Sequence, residues 1–286
     1  MAFTTLVTTD DLVEHLSDPT WTIVDCRFSL AEPELGRREY EEAHISGALY
    51  AHLDEDLSGP IIPGRTGRHP LPTPERAAQR FGDWGIGRGQ QVVAYDGAGG
   101  AIAARLWWML RWLGHDEAAV LDGGWQEWQR QGYPVGSGVE TARPATFVRR
   151  AREDWVVSVE EVDVLRKDPD FLLLDSRSAD RFRGENETID PVAGHIPGAV
   201  SLPYEGNLEE NGRFRSCEAL RERFEDALQA VPADHAAFYC GSGVSAAHNL
   251  LALAHAGFEG ARLYAGSWSE WITDPSRPVA LTDDRA

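Results

Sequence analysis

The chain has 286 residues, 42% hydrophobic and 26% charged, the composition of a globular protein with a sizeable core and room for two domains. Its 46 acidic and 27 basic side chains leave a formal charge of −19, a field that repels phosphate backbones and anionic membrane surfaces, so neither nucleic acid nor membrane is expected as a partner. The apolar stretch 250–256 is too short to span a bilayer, and residues 1–13 lack the basic start and cleavage site of a signal peptide, so a cytoplasmic location is expected.

Taken in chain order, apolar spacing predicts a helix over 9–16, strands over 22–24 and 48–50, a helix over 73–81, a strand over 91–95, a helix over 101–113 and a strand over 118–121. Residues 135–154, with Gly, Ser and Pro and no periodicity, read as a connector. Beyond it come a helix over 159–166, strands over 171–174 and 199–202, a helix over 218–230, a strand over 236–239, a helix over 246–256 and a strand over 261–264, before a frayed tail at 281–286. Short apolar strands alternating with amphipathic helices predict an α/β fold with parallel sheets flanked by helices.

The two halves repeat each other. Ile23-Val24-Asp25-Cys26-Arg27 returns as Leu173-Leu174-Asp175-Ser176-Arg177, His44-Ile45-Ser46-Gly47-Ala48 as His195-Ile196-Pro197-Gly198-Ala199, and Gly124-Trp125-Gln126-Glu127-Trp128 as Ser267-Trp268-Ser269-Glu270-Trp271. The expected organisation is a first domain over 1–137, a linker over 138–154 and a second domain over 155–286.

Chemistry is expected at a single thiol. Of three cysteines, Cys26, Cys217 and Cys240, none forms a CxxC pair, so neither a disulfide framework nor a metal site nor any cofactor is indicated. Cys240 ends an apolar strand and opens Cys240-Gly241-Ser242-Gly243-Val244-Ser245, a small-residue loop leading directly into a helix. Backbone N–H groups of Gly241, Gly243, Val244 and Ser245 can face such a loop, and an anion nest at a helix N-terminus favours a thiolate nucleophile. A buried, inert cysteine is the alternative reading. The matching position of the first half is Asp96, so that half lacks the nucleophile.

Together Asp175-Ser176-Arg177, Arg181-Phe182-Arg183-Gly184, the Gly194 to Ala199 segment, the Cys240 loop and Trp268-Ser269-Glu270-Trp271 resemble two-domain rhodanese-type sulfurtransferases, most closely the 3-mercaptopyruvate group. The resemblance covers nearly the whole chain. It implies tandem rhodanese-like domains, the second catalytic, and a Cys240 persulfide that passes its sulfur to a thiol or to cyanide, with thioredoxin among the candidate acceptors. Thiosulfate-preferring relatives carry basic residues in the two positions after the cysteine; here they are Gly241 and Ser242, which points to 3-mercaptopyruvate as donor. A thiosulfate-preferring enzyme and a non-enzymatic sulfur-relay or protein-binding module are the alternatives. A Cys-dependent phosphatase is disfavoured because Ala246 stands where its phosphate-clamping arginine would be.

By the same resemblance Ser242, His69 and Asp54 form a proton relay, with Asp56 competing for the carboxylate position. Arg177, following a strand end, is expected to hold the donor's carboxylate bidentately, with Arg181 or Arg183 assisting. His44 and His195, repeated in both halves, are expected to fix loops by hydrogen bonds.

Overall fold

The computed structural model describes residues 2–281; the predicted tail beyond 281 lies outside them. The chain forms two compact units, one of 1–59, 72–152 and 209–214, the other of 60–71, 153–208 and 215–286. The expected linker is therefore not free: 138–152 runs along the first unit, where Ala145 N–H bonds the Gly82 carbonyl at 2.8 Å and Arg150 N–H that of Leu113 at 2.7 Å. Two short segments also depart from the expected boundaries, since 60–71 belongs to the second unit and 209–214 to the first.

The first unit contains β1 (Leu6–Val7), α1 (Thr9–Glu14), β2 (Trp21–Asp25), α2 (Leu35–Glu42), β3 (His44–Ile45), β4 (Leu49–Tyr50), α3 (Pro74–Asp83), β5 (Gln91–Tyr95), α4 (Ala103–Trp112), β6 (Ala118–Leu121), α5 (Gly124–Gln131) and β7 (Val135–Gly136). Its main sheet is parallel in the order β1-β6-β5-β2-β4, with β3 and β7 paired antiparallel beside it. Helix starts follow local chemistry: Thr73 caps α3 by accepting from Arg76 N–H, with Pro74 at the first helical position, where its missing N–H costs nothing.

The second unit contains α6 (Val159–Leu165), β8 (Leu172–Asp175), α7 (Ala179–Phe182), β9 (Val200–Ser201), α8 (Cys217–Leu228), β10 (Ala236–Tyr239), α9 (Ser245–His255), β11 (Arg262–Leu263) and α10 (Ser267–Trp271). Ser158 and Glu161 close a capping box at α6. The parallel order β11-β10-β8-β9, extended by a bridge from Val156 to Leu263, repeats the first sheet. His195 bridges to Ala280 antiparallel, as β3 does with β7. The central strands β5 and β10 are buried throughout, as a parallel sheet covered on both faces requires.

The repeated motifs are what the two cores share. Tyr95 and Trp128 in one, and Tyr239, Trp268 and Trp271 in the other, are buried among apolar side chains. Both repeated histidines are buried and hold the preceding helix: His44 Nδ1 lies 2.7 Å from the Tyr40 carbonyl, and His195 Nδ1 lies 2.7 Å from that of Phe182.

Candidate active site

Strand β10 delivers Cys240 to the carboxyl edge of the second sheet, and the chain turns through 241–244 into α9. Cys240 is buried, with 2% of its surface exposed. Its Sγ accepts the Gly243 N–H at 3.1 Å, so the loop aims a backbone donor at the sulfur. Only glycine fits at 243: φ is +76°, and a Cβ would lie 2.3 Å from the Ala265 carbonyl oxygen. Val244 is the residue preceding α9 and is buried; Ser245 opens the helix.

The base of the loop is fastened to the Trp motif. Trp268 and Ser269 N–H groups donate to the carbonyls of Cys240 and Gly241 at 3.0 and 2.9 Å. Ser267 Oγ accepts the Cys240 N–H at 3.1 Å. Ser267 holds this position at φ +58°, a left-handed conformation that its counterpart Gly124 adopts at +53° without the side-chain penalty. The serine thus adds an anchor for the nucleophile's backbone that the first half lacks.

Segment 60–71 brings His69 and Arg68 to the same unit. His69 Nδ1 lies 2.7 Å from Ser242 Oγ, and both residues are buried. The segment is secured where Arg68 N–H donates to Ser269 Oγ at 3.0 Å; Gly67 is bare because a Cβ would lie 2.4 Å from the Gly266 carbonyl oxygen. Asp54 lies in a turn of the first unit, its N–H 3.2 Å from His52 Nδ1. The carboxylate of Asp56 is engaged there by the His52 N–H at 2.8 Å and by Arg80 at 2.9 Å.

The arginines are placed differently from the sequence expectation. Arg177 is only 2% exposed, and its guanidinium donates to Asp175 at 2.6 Å, to the Gly194 carbonyl at 2.8 Å and to Glu187 at 3.4 Å. It also lies over the Trp268 ring, 4.9 Å from the centroid. Burial alone would lower its pKa, but the Asp175 carboxylate beside it raises it above the ordinary value. A guanidinium so enclosed braces β8 against the following segment, as Arg27 does with Asp25 in the first half, and is not positioned to clamp a substrate carboxylate. Arg183 pairs with Glu185 at the surface. Arg181 does reach the thiol loop, paired with Glu187 at 2.9 Å and Asp190 at 3.1 Å.

Sequence reasoning missed Arg68, Glu187, Asp190 and Ser267. Arg68 left a trace as the neighbour of His69, and Ser267 as the first residue of the repeated Trp motif; Glu187 and Asp190 are set by a segment whose packing no periodicity announces.

In the first half the equivalent loop is closed by its own side chain. The Asp96 carboxylate accepts the N–H groups of Ala98, Gly100, Ile102 and Ala103 at 2.7, 2.9, 2.7 and 2.8 Å. A cavity of about 470 Å³ opens beside it, lined in part by Arg27, Gly97 and Trp125. The donors that would receive a foreign anion are already satisfied by Asp96. Cys26 is buried, with its thiol pushed well up by burial, and Cys217 lies apart at the start of α8.

A duplicated parallel α/β fold with one thiol loop and one carboxylate-filled loop defines the class of protein: tandem sheet domains of which one carries a nucleophile. The Rhodanese-like domain family matches residues 8–131 and 158–274, and the chain belongs to the rhodanese family. It is 47% identical over 284 residues to a probable 3-mercaptopyruvate sulfurtransferase of Pseudomonas aeruginosa, covering 99% of this chain and 100% of that one. Identity to the 3-mercaptopyruvate sulfurtransferase of Homo sapiens is 36%, over 84% of this chain and 81% of the relative. Among solved structures, the 3-mercaptopyruvate sulfurtransferase of Leishmania major superposes with a TM-score of 0.84 at 34% identity, over 96% of this chain and 75% of that one.

Proposed function

We propose that the protein is a 3-mercaptopyruvate sulfurtransferase working through a Cys240 persulfide. The observation that carries the reading is the pairing of Cys240, held beneath the Gly243 N–H, with a Ser242–His69 hydrogen bond in the same loop, in a chain 47% identical throughout to a relative of that name.

The Cys240 thiolate attacks the donor's sulfur. A new S–S bond forms as the donor's C–S bond breaks, and the electron pair leaves on carbon as the enolate of pyruvate. Ser242, hydrogen-bonded to His69, supplies the proton that converts the enolate to pyruvate, and His69 reprotonates the serine. Asp54 is assigned the carboxylate role in this relay. The loop N–H groups, foremost that of Gly243, stabilise the persulfide anion. A second thiolate, or cyanide, then attacks the outer sulfur and releases the Cys240 thiolate. A protein thiol such as thioredoxin is the acceptor in this scheme. Among the described residues no helix is long and apolar enough to cross a membrane, and we place the reaction in the cytoplasm.

Steady-state assay with 3-mercaptopyruvate and cyanide tests the reading: pyruvate and thiocyanate should appear in equal amounts, and both should vanish in Cys240→Ser. Turnover of thiosulfate at a higher kcat/KM than 3-mercaptopyruvate would overturn the donor assignment.

A further inference from the structure

In a chain of formal charge −19, an anionic donor needs local positive charge close to the nucleophile. The two residues following Cys240 supply none, and Arg177 is enclosed by Asp175, Glu187 and Gly194. We infer that Arg68, on the segment that also carries His69, is a specificity-determining residue that holds the donor's carboxylate together with Arg181. The inference deepens the sulfur-transfer reading and rests on it.

Arg68 and Arg181 converge on the thiol loop from different segments. The Asp190 carboxylate links them, taking Arg68 Nη1 at 2.6 Å on one oxygen and Arg181 Nη2 at 3.1 Å on the other. Both guanidiniums, and the Asp190 carboxylate between them, reach the loop at Gly241, one residue from the nucleophile: a Cβ at 241 would lie 3.1 Å from Arg68 Nη2 and 3.7 Å from both Arg181 Nη2 and Asp190 Oδ2. A side chain there would crowd the Arg68 fork.

Donor accounting separates the two arginines. Arg181 gives Nε and Nη2 to Glu187 and Asp190. Of the Arg68 side chain only Nη1 has an acceptor among the described residues; its Nε is buried without a hydrogen-bond partner. Unspent guanidinium donors beside a buried loop are costly unless an acceptor arrives. A planar carboxylate presents two oxygens to such a fork. Asp190 fixes the orientation, while Arg68 keeps donors in reserve. Supply of the charge from the 60–71 segment also fits a thiol loop built of uncharged residues.

The test compares 3-mercaptopyruvate with mercaptoacetone, which has the same thiol and ketone but a methyl group in place of the carboxylate. In Arg68→Gln the ratio of kcat/KM for the two donors should fall about 10- to 100-fold, the effect of losing charged hydrogen bonds, mostly through KM for 3-mercaptopyruvate; Arg68→Lys, which keeps the charge but not the fork, should fall between. Calorimetric titration of pyruvate into Cys240→Ser, with and without Arg68→Gln, should show the same loss of affinity. An unchanged ratio, or an equal loss on both donors, would overturn the inference and leave Arg68 as a brace for the loop. If the wild-type protein takes no sulfur from 3-mercaptopyruvate, the sulfur-transfer reading fails; the pyruvate titration still decides whether Arg68 holds a carboxylate.

Discussion

Ser242 and His69, 173 residues apart in the chain, meet at 2.7 Å beside the thiol. In the proposed mechanism this bond supplies, two residues from Cys240 in the chain, the proton that the departing enolate takes up. Removing either partner, in Ser242→Ala or His69→Asn, should slow 3-mercaptopyruvate turnover by about 100-fold or more, the usual scale of general-acid assistance. The loss should fall on persulfide formation, measured as pyruvate release in a single turnover. Discharge of a preloaded persulfide to cyanide needs no proton at carbon and should keep its rate; equal slowing of both half-reactions would contradict the relay.

Asp96 answers for the stability of the silent half. Its carboxylate, 1% exposed, satisfies four backbone N–H groups of the loop before α4. Asp96→Ala leaves those donors without an acceptor, and unfolding in urea should show a loss of about 3–5 kcal/mol. Asp96→Asn, which keeps one acceptor oxygen, should lose less. A neutral Asp96→Ala would mean that the nest refills at no cost.

The Arg177–Asp175 pair is enclosed on both sides, at 2.6 Å. Arg177→Met strands a buried carboxylate and should cost about 3–5 kcal/mol in chemical denaturation. Its effect on KM for 3-mercaptopyruvate should be small beside that on stability. A variant of native stability with a greatly raised KM would restore Arg177 to the substrate.

Glu187 gives a pH signature. Burial acts to raise its carboxyl pKa, but the N–H groups of Asp190 and Ile189 and the Arg181 guanidinium outweigh burial and hold it below the ordinary 4.5. A depressed carboxyl favours the folded state fully above its unfolded value, and the gain is lost as pH falls through the folded value. Wild type should therefore be more stable than Glu187→Gln at pH 7, with the gap narrowing below about pH 4.5. A gap that widens in acid would reverse the sign.

The central strands were legible in the sequence because buried parallel strands are short apolar runs: 91–95, 118–121 and 236–239 coincide with β5, β6 and β10. The duplication and the thiol loop were legible for a similar reason, since each is a local pattern. The two-residue strands β1, β3 and β7 carry no periodicity and were not read. The charged α2 and the Trp-bearing α5 and α10 were also missed, the last two because they entered only as a repeated motif. Arg177 illustrates the harder limit. Its place at a strand end suggested a free guanidinium, but the partners that enclose it, Glu187 and Gly194, come from an irregular segment whose path depends on tertiary contacts. Arg68 was hidden by the converse effect, because nothing local shows that 60–71 joins the second unit.

The most direct test of sulfur transfer is the intact mass of the protein after brief anaerobic incubation with 3-mercaptopyruvate, then after addition of cyanide. Transfer through a Cys240 persulfide predicts a gain of one sulfur atom, its removal by cyanide, and no gain in Cys240→Ser. An unaltered mass in the wild-type protein, or a sulfur retained by Cys240→Ser, would contradict it.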